Sequence, residues 1–182
     1  MLSILRATAV AFAGLALVPA LVHAHTVADP DEGVAGGYLR TAFRVTHGCK
    51  GSPTIAVTIR LPDGVVSAKP MPKPGWTLEI KTRPLDPPVD SGHGFKFREA
   101  ASEVTWRGGR LDNAQFDEFV LMLRLPDLPP GKANGTIYFP TVQTCEKGEN
   151  AWTGIPASGQ NWHDLPEPAP FVKLKSGGGH AH

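Results

Sequence analysis

The residues with the most chemistry to offer stand directly behind an apolar leader. A histidine that opens a chain chelates metal without help from any fold. Its α-amino nitrogen and its imidazole Nδ1 close a six-membered ring on one ion. The ordinary pKa of an α-amino group is about 7.7–8.0, so a metal displaces its proton at modest cost. Two nitrogen donors and a carboxylate suit Cu(II) in a tetragonal arrangement. His25 is placed for this role, with Asp29, Asp31 and Glu32 following in the run HTVADPDEG. An extended chain turned at Pro30 would bring Glu32 back toward the terminus.

This chemistry requires a cut after Ala24, and Met1 to Ala24 reads as a secretory signal peptide. Arg6 supplies its positive start, Ala9 to Leu17 its apolar centre, and Val22-His23-Ala24 its permissive end. The apolar run falls short of the roughly 20 residues that span a bilayer. No later stretch reaches that length, so the chain behind the leader is expected to be exported, periplasmic or secreted, with no membrane span. Val18-Pro19-Ala20 also satisfies the small-residue rule. A cut there would put His23 third and create a different square-planar Cu(II) or Ni(II) site.

Composition narrows the partners. There are 18 basic and 17 acidic residues, a formal charge of +1 that offers no field for nucleic acid or an anionic membrane. Hydrophobic residues make up 41% and charged residues 19%, which excludes a charge-rich disordered chain. With 20 Gly and 18 Pro, the chain is too heavily punctuated for a helical bundle. The two cysteines, Cys49 and Cys145, would form a disulfide by default in an oxidising compartment. Their alternative is a pair of soft copper ligands, with Met71 and Met122 as the further sulfur donors. No G-x-S-x-G is present, so a serine hydrolase is not expected.

The positioning elements read as short strands. The candidates are Tyr38–Thr46, Thr54–Leu61, Trp76–Lys81, Phe95–Arg98, Glu103–Arg107, Gly135–Gln143, Ala151–Ile155 and Phe171–Leu174. Phe116–Leu125 is the longest and, being poor in β-branched residues, also reads as a helix. Pro62-Asp63-Gly64, Pro72 to Gly75, Pro87-Pro88, Arg107 to Gly109, Pro129 to Gly131 and Asn134-Gly135 serve as separators. Strands at this spacing predict an all-β antiparallel sandwich over residues 25–175. Ser176 to His182 reads as a flexible Gly/His tail.

With these residues in view, the chain resembles the YcnI-like copper-binding domain family, in its Gram-negative branch. The resemblance is carried by His25-Thr26-Val27, Pro30, Glu32 and Gly36-Gly37-Tyr38. It continues through His47-Gly48-Cys49, IRLPDGV at 59–65, KPMPKPGWTL at 69–78, Trp106, LPPG at 128–131, Tyr138-Phe139-Pro140, Cys145-Glu146 and Trp152. The resemblance implies a sandwich of immunoglobulin, fibronectin or cupredoxin type. It also implies a brace in which the terminal amine and imidazole of His25 hold Cu(II), Glu32 supplies oxygen and Trp152 lies against the metal. An indole has no free in-plane lone pair, so Trp152 would act by packing or cation–π contact. Without the resemblance, Trp152 reads as a core aromatic, as does Trp76.

The remaining histidines have blander readings. His47 is a loop-end residue, His93 lies in a Gly-rich loop, His163 follows Trp162 in a Pro-rich segment, and His180 and His182 end the tail. Glu118 reads as an exposed strand charge or an acid behind the metal ligands. The expected function is copper binding without catalysis, as a chaperone or buffer that exchanges the ion with other periplasmic or membrane copper-transport proteins. The alternatives are a copper monooxygenase, which would need a second histidine from His47, His93 or His163, and a metal-free interaction module.

Overall fold

A computed structural model describes residues 25–177. The signal peptide read over 1–24, and His180 and His182 of the tail, lie outside the described residues. Among the described residues, twelve strands form three sheets. The strands are β1 (Val27–Asp29), β2 (Glu32–Val34), β3 (Tyr38–Val45), β4 (Thr54–Arg60), β5 (Ser67–Pro70) and β6 (Thr77–Asp90). They continue with β7 (Lys96–Leu111), β8 (Asp117–Arg124), β9 (Asn134–Tyr138), β10 (Thr141–Cys145), β11 (Glu149–Trp152) and β12 (Phe171–Lys175).

One sheet has the order β1-β3-β8-β5, and a second has the order β11-β10-β4-β7-β6. A small third sheet, β2-β12-β9, contains the parallel pair β2–β12. The sheets enclose one apolar core. Phe43, Phe119, Leu121 and Leu123 enter it from the first sheet, Val57, Ile59, Val104 and Trp106 from the second, and Val172 and Leu174 from the third. Period-2 alternation places these side chains on inner faces. Trp76 packs against this core, with its ring 5.2 Å from that of Phe119.

Phe116–Leu125 is a strand, not a helix. β8 pairs with β3 from Asp117↔Val45 to Arg124↔Tyr38, so its backbone groups are taken up by a central ladder. Tertiary pairing overrides weak local propensity here. The candidates 76–81, 95–98 and 103–107 merge into one long hairpin, β6–β7. Pro87, Pro88, Gly108 and Gly109 lie inside these strands rather than between them. The prolines are tolerated because β6 is an edge strand and the register slips between Pro84 and Val89. Gly109 makes room for the Trp76 indole, which lies where a Cβ would sit. Gly135–Gln143 divides at Phe139-Pro140 into β9 and β10, which belong to different sheets.

Cys49 and Cys145 are joined as a disulfide, with Cα atoms 5.9 Å apart. It ties the loop after β3 to the end of β10. The cysteines are therefore a covalent tie between strands and not a pair of soft metal ligands.

Candidate metal centre

His25 lies just ahead of β1, half-buried, with Thr26 beneath the surface. Its imidazole is held edge-on between two indoles. The ring of Trp152 is 5.8 Å away at 73°, and the ring of Trp162 is 5.1 Å away at 84°. Aromatic pairs at these separations and angles are attractive by about 0.5–1.5 kcal/mol beyond their buried area.

Both indoles are fixed by their N–H groups. Trp162 Nε1 donates to the Ala169 carbonyl at 2.7 Å. Trp152 is 5% exposed and its Nε1 donates to Gln143 Oε1 at 3.2 Å. Gln143 itself is buried, donates through Nε2 to the His47 carbonyl at 2.6 Å and to Thr54 Oγ1 at 2.8 Å, and accepts from Asn150 Nδ2 at 3.1 Å. A buried amide with every site used is a rigid prop. It stands on β10, two residues before the disulfide. The His47 ring also lies near Trp152, at 6.3 Å, with Nδ1 donating to the Gly48 carbonyl at 2.7 Å.

The acids that follow His25 are held elsewhere. Asp29 is 2.5 Å from Arg44, Asp31 is 3.1 Å from Lys173, and Glu32 is 2.5 Å from Lys175. The hydrogen bond to Asp29, joined by that to Glu118, raises the Arg44 pKa further above its already high ordinary value. Glu118 is thus a half-buried partner of Arg44. Nor does the chain double back at Pro30. β1 runs antiparallel to β3 with Val27↔Arg44 and Asp29↔Ala42. After Pro30 the chain joins β12, and a turn closed by Gly37 N–H on the Val34 carbonyl at 3.0 Å leads into the start of β3. β1 and β2 therefore follow one direction along β3, and the backbone carries Glu32 away from His25.

The acid that does share space with His25 is Asp164. A cavity of about 300 Å³ is lined by His25, His163, Asp164, Leu165 and Pro166. A neighbouring cavity of about 280 Å³ extends past Trp162 and Phe171 to Asp31 and Lys173. Residues Trp162–Asp164 form a single 3₁₀ turn capped by Asn161, whose side chain accepts from His163 N at 3.0 Å. Asn before Trp-His-Asp is an N-cap pattern, and it is the signal in the sequence that marks this turn. Among the described residues, no group of three or more His, Cys, Asp and Glu side chains is gathered for a metal. His93 sits at the tip of the β6–β7 hairpin, with its backbone on Ser91 Oγ.

The comparisons bear on this arrangement at the level of family and fold. The family described as "Domain of unknown function (DUF1775)" matches residues 25–174. The chain belongs to this family. The DUF1775 match covers β1 through most of β12 and begins at His25 itself. A solved structure described as that of an uncharacterized protein from Nocardia farcinica, with an immunoglobulin-like fold, is 31% identical. The alignment covers 84% of this chain and 99% of that one, with a TM-score of 0.60. No match was found among curated proteins. The DUF1775 fold here is accordingly an immunoglobulin-like β-sandwich, stapled by one disulfide.

Proposed function

We propose that this DUF1775 member is an exported copper-binding protein that acts as a chaperone or buffer in copper trafficking, without catalysis. Removal of residues 1–24 would expose the α-amine of His25, and that amine with the imidazole would chelate Cu(II). The observation that carries the reading is the seating of the His25 ring between Trp152 and Trp162 beside an open cavity. A bound cation there would meet two aromatic neighbours, a contact worth about 0.5–2 kcal/mol at such sites. The start of the family match at His25 supports the same boundary.

The residues present fit the group in part. His25 and Trp152 adjoin as the family resemblance implies. Glu32, the oxygen donor carried over from the family, is bound to Lys175 instead. That ion pair is exposed on both sides, 62% for Lys175 and 43% for Glu32, and such pairs contribute only about 0–1 kcal/mol. Glu32 is free to exchange partners, but the strand path sets it apart from His25. When bound, copper would supply a site for exchange with a donor or acceptor protein, and the chain's part is to orient one chelating residue.

Titration of protein whose first residue is His25 tests the reading. One equivalent of Cu(II) is expected to bind, and acetylating the α-amine is expected to abolish that tight site. Unchanged stoichiometry and affinity after acetylation would sink the brace.

A further inference from the structure

The copper reading uses one histidine, yet the structure places a second beside it. His25 and His163 line the same cavity. Each packs edge-on against Trp162, His25 at 5.1 Å and 84°, His163 at 5.0 Å and 85°. A shared neighbour at those separations keeps the two imidazole centres within about 10 Å of one another. Two imidazoles on one metal, each with a bond of about 2.0 Å, stand with centres roughly 4.5–6.5 Å apart. Closing the difference takes at most about 6 Å, and the His163 side chain is exposed.

Its platform, by contrast, is firm. Trp162 is pinned to the Ala169 carbonyl and rests on Phe171 at 5.4 Å. The following segment is stapled to Gly154, which donates to the Glu167 carbonyl at 2.9 Å and accepts from Ala169 N–H at 2.8 Å. Pro166, Pro168 and Pro170 restrict it further. A fixed turn that carries an exposed imidazole on the same cavity as His25 is the arrangement a ligand needs.

We propose that His163 supplies a third nitrogen to the Cu(II) centre, completing across the cavity the set begun by the amine and imidazole of His25. The proposal rests on the copper reading above. Three nitrogens from two separate segments satisfy the tetragonal preference of Cu(II) with one position left over. Asp164 lines the same cavity and would be the carboxylate available there to a bound ion. Such a set does not require Glu32 to leave Lys175.

The experiment is electron spin-echo spectroscopy, counting coordinated imidazoles by their remote nitrogens. It uses protein beginning at His25, checked by N-terminal sequencing, with His180→Ala and His182→Ala to silence the tail. One equivalent of Cu(II) is the probe. Two imidazoles are expected in this background and one in His163→Gln, with at least a tenfold loss of affinity. His163 is exposed, so the melting temperature of the variant is expected to match its parent. One imidazole both with and without His163 would overturn the proposal and leave the His25 chelate standing. A signal indifferent to acetylation of the α-amine would overturn the copper reading, and this proposal with it.

Discussion

Replacing Gln143 with leucine tests the link between the disulfide strand and the histidine site. The two side chains are close in size, so the change is chiefly one of hydrogen bonding. Gln143→Leu removes the acceptor of Trp152 Nε1–H and the donor to Thr54 Oγ1, both buried. It also strips a donor from the His47 carbonyl, while Asn150 is only part-buried and turns to water. Each buried polar group left without a partner costs about 1–3 kcal/mol. Better burial of leucine offsets part of this, leaving an expected loss of about 3 kcal/mol. Urea unfolding followed by tryptophan fluorescence and far-ultraviolet circular dichroism measures it. A midpoint lower by roughly 1–2 M with an unchanged slope is expected. Trp152 would lose its tether, so Cu(II) affinity at His25 should fall as well. Gln143→Glu should be worse at neutral pH, because a carboxylate cannot donate to His47 or Thr54. A stability change under about 0.5 kcal/mol in Gln143→Leu, with Trp152 emission unaltered, would refute the view that this amide holds the indole.

Removing the disulfide by Cys49→Ala with Cys145→Ala should cost about 4–5 kcal/mol on the loop-entropy view for a separation of 96 residues; chemical denaturation of the double variant measures it, and a loss below about 1 kcal/mol would contradict it. Gly48→Ala should lower stability by at least about 2 kcal/mol, since the added Cβ falls on the Ser52 carbonyl oxygen, a backbone atom with little room to yield; thermal melting checks this. Lys175→Ala should change stability by less than about 1 kcal/mol and leave Cu(II) affinity unaltered, because its exposed partner Glu32 lies along a strand leading from His25. A marked rise in affinity in that variant, read by competitive titration, would instead make Glu32 a ligand.

Some of this protein was legible from residue order alone. TIAVTIRL at 54–61 alternates and became β4, and FVKL at 171–174 became most of β12. The high Gly and Pro content correctly pointed away from helices. Short strands with little pattern, such as β1, β2 and β5, carry three or four residues each and leave no periodic signal. The β6–β7 hairpin ran through prolines and glycines because an edge strand and a slipped register tolerate them, which only pairing partners reveal. Gln143 was hidden in a strand as an ordinary polar residue. The signal for it was its place two residues from Cys145, on the same face of an alternating strand.

What the sequence determined by itself is chemical identity: two cysteines able to pair, and a histidine whose amine and ring would form the proposed chelate if the chain were cut before it. These depend on covalent neighbours and need no fold. What only the tertiary structure decided is who stands beside His25. Local order offered Glu32, seven residues on and joined by a proline. Sheet pairing carried that acid down β3 and toward Lys175, and brought in Trp152 from β11 and Trp162 with His163 from the turn before β12. Strand register is set by burial of apolar faces across the whole sandwich. The neighbours of a residue at the edge of the sandwich, as His25 is, are therefore chosen by the core, and a reading of adjacent residues cannot name them.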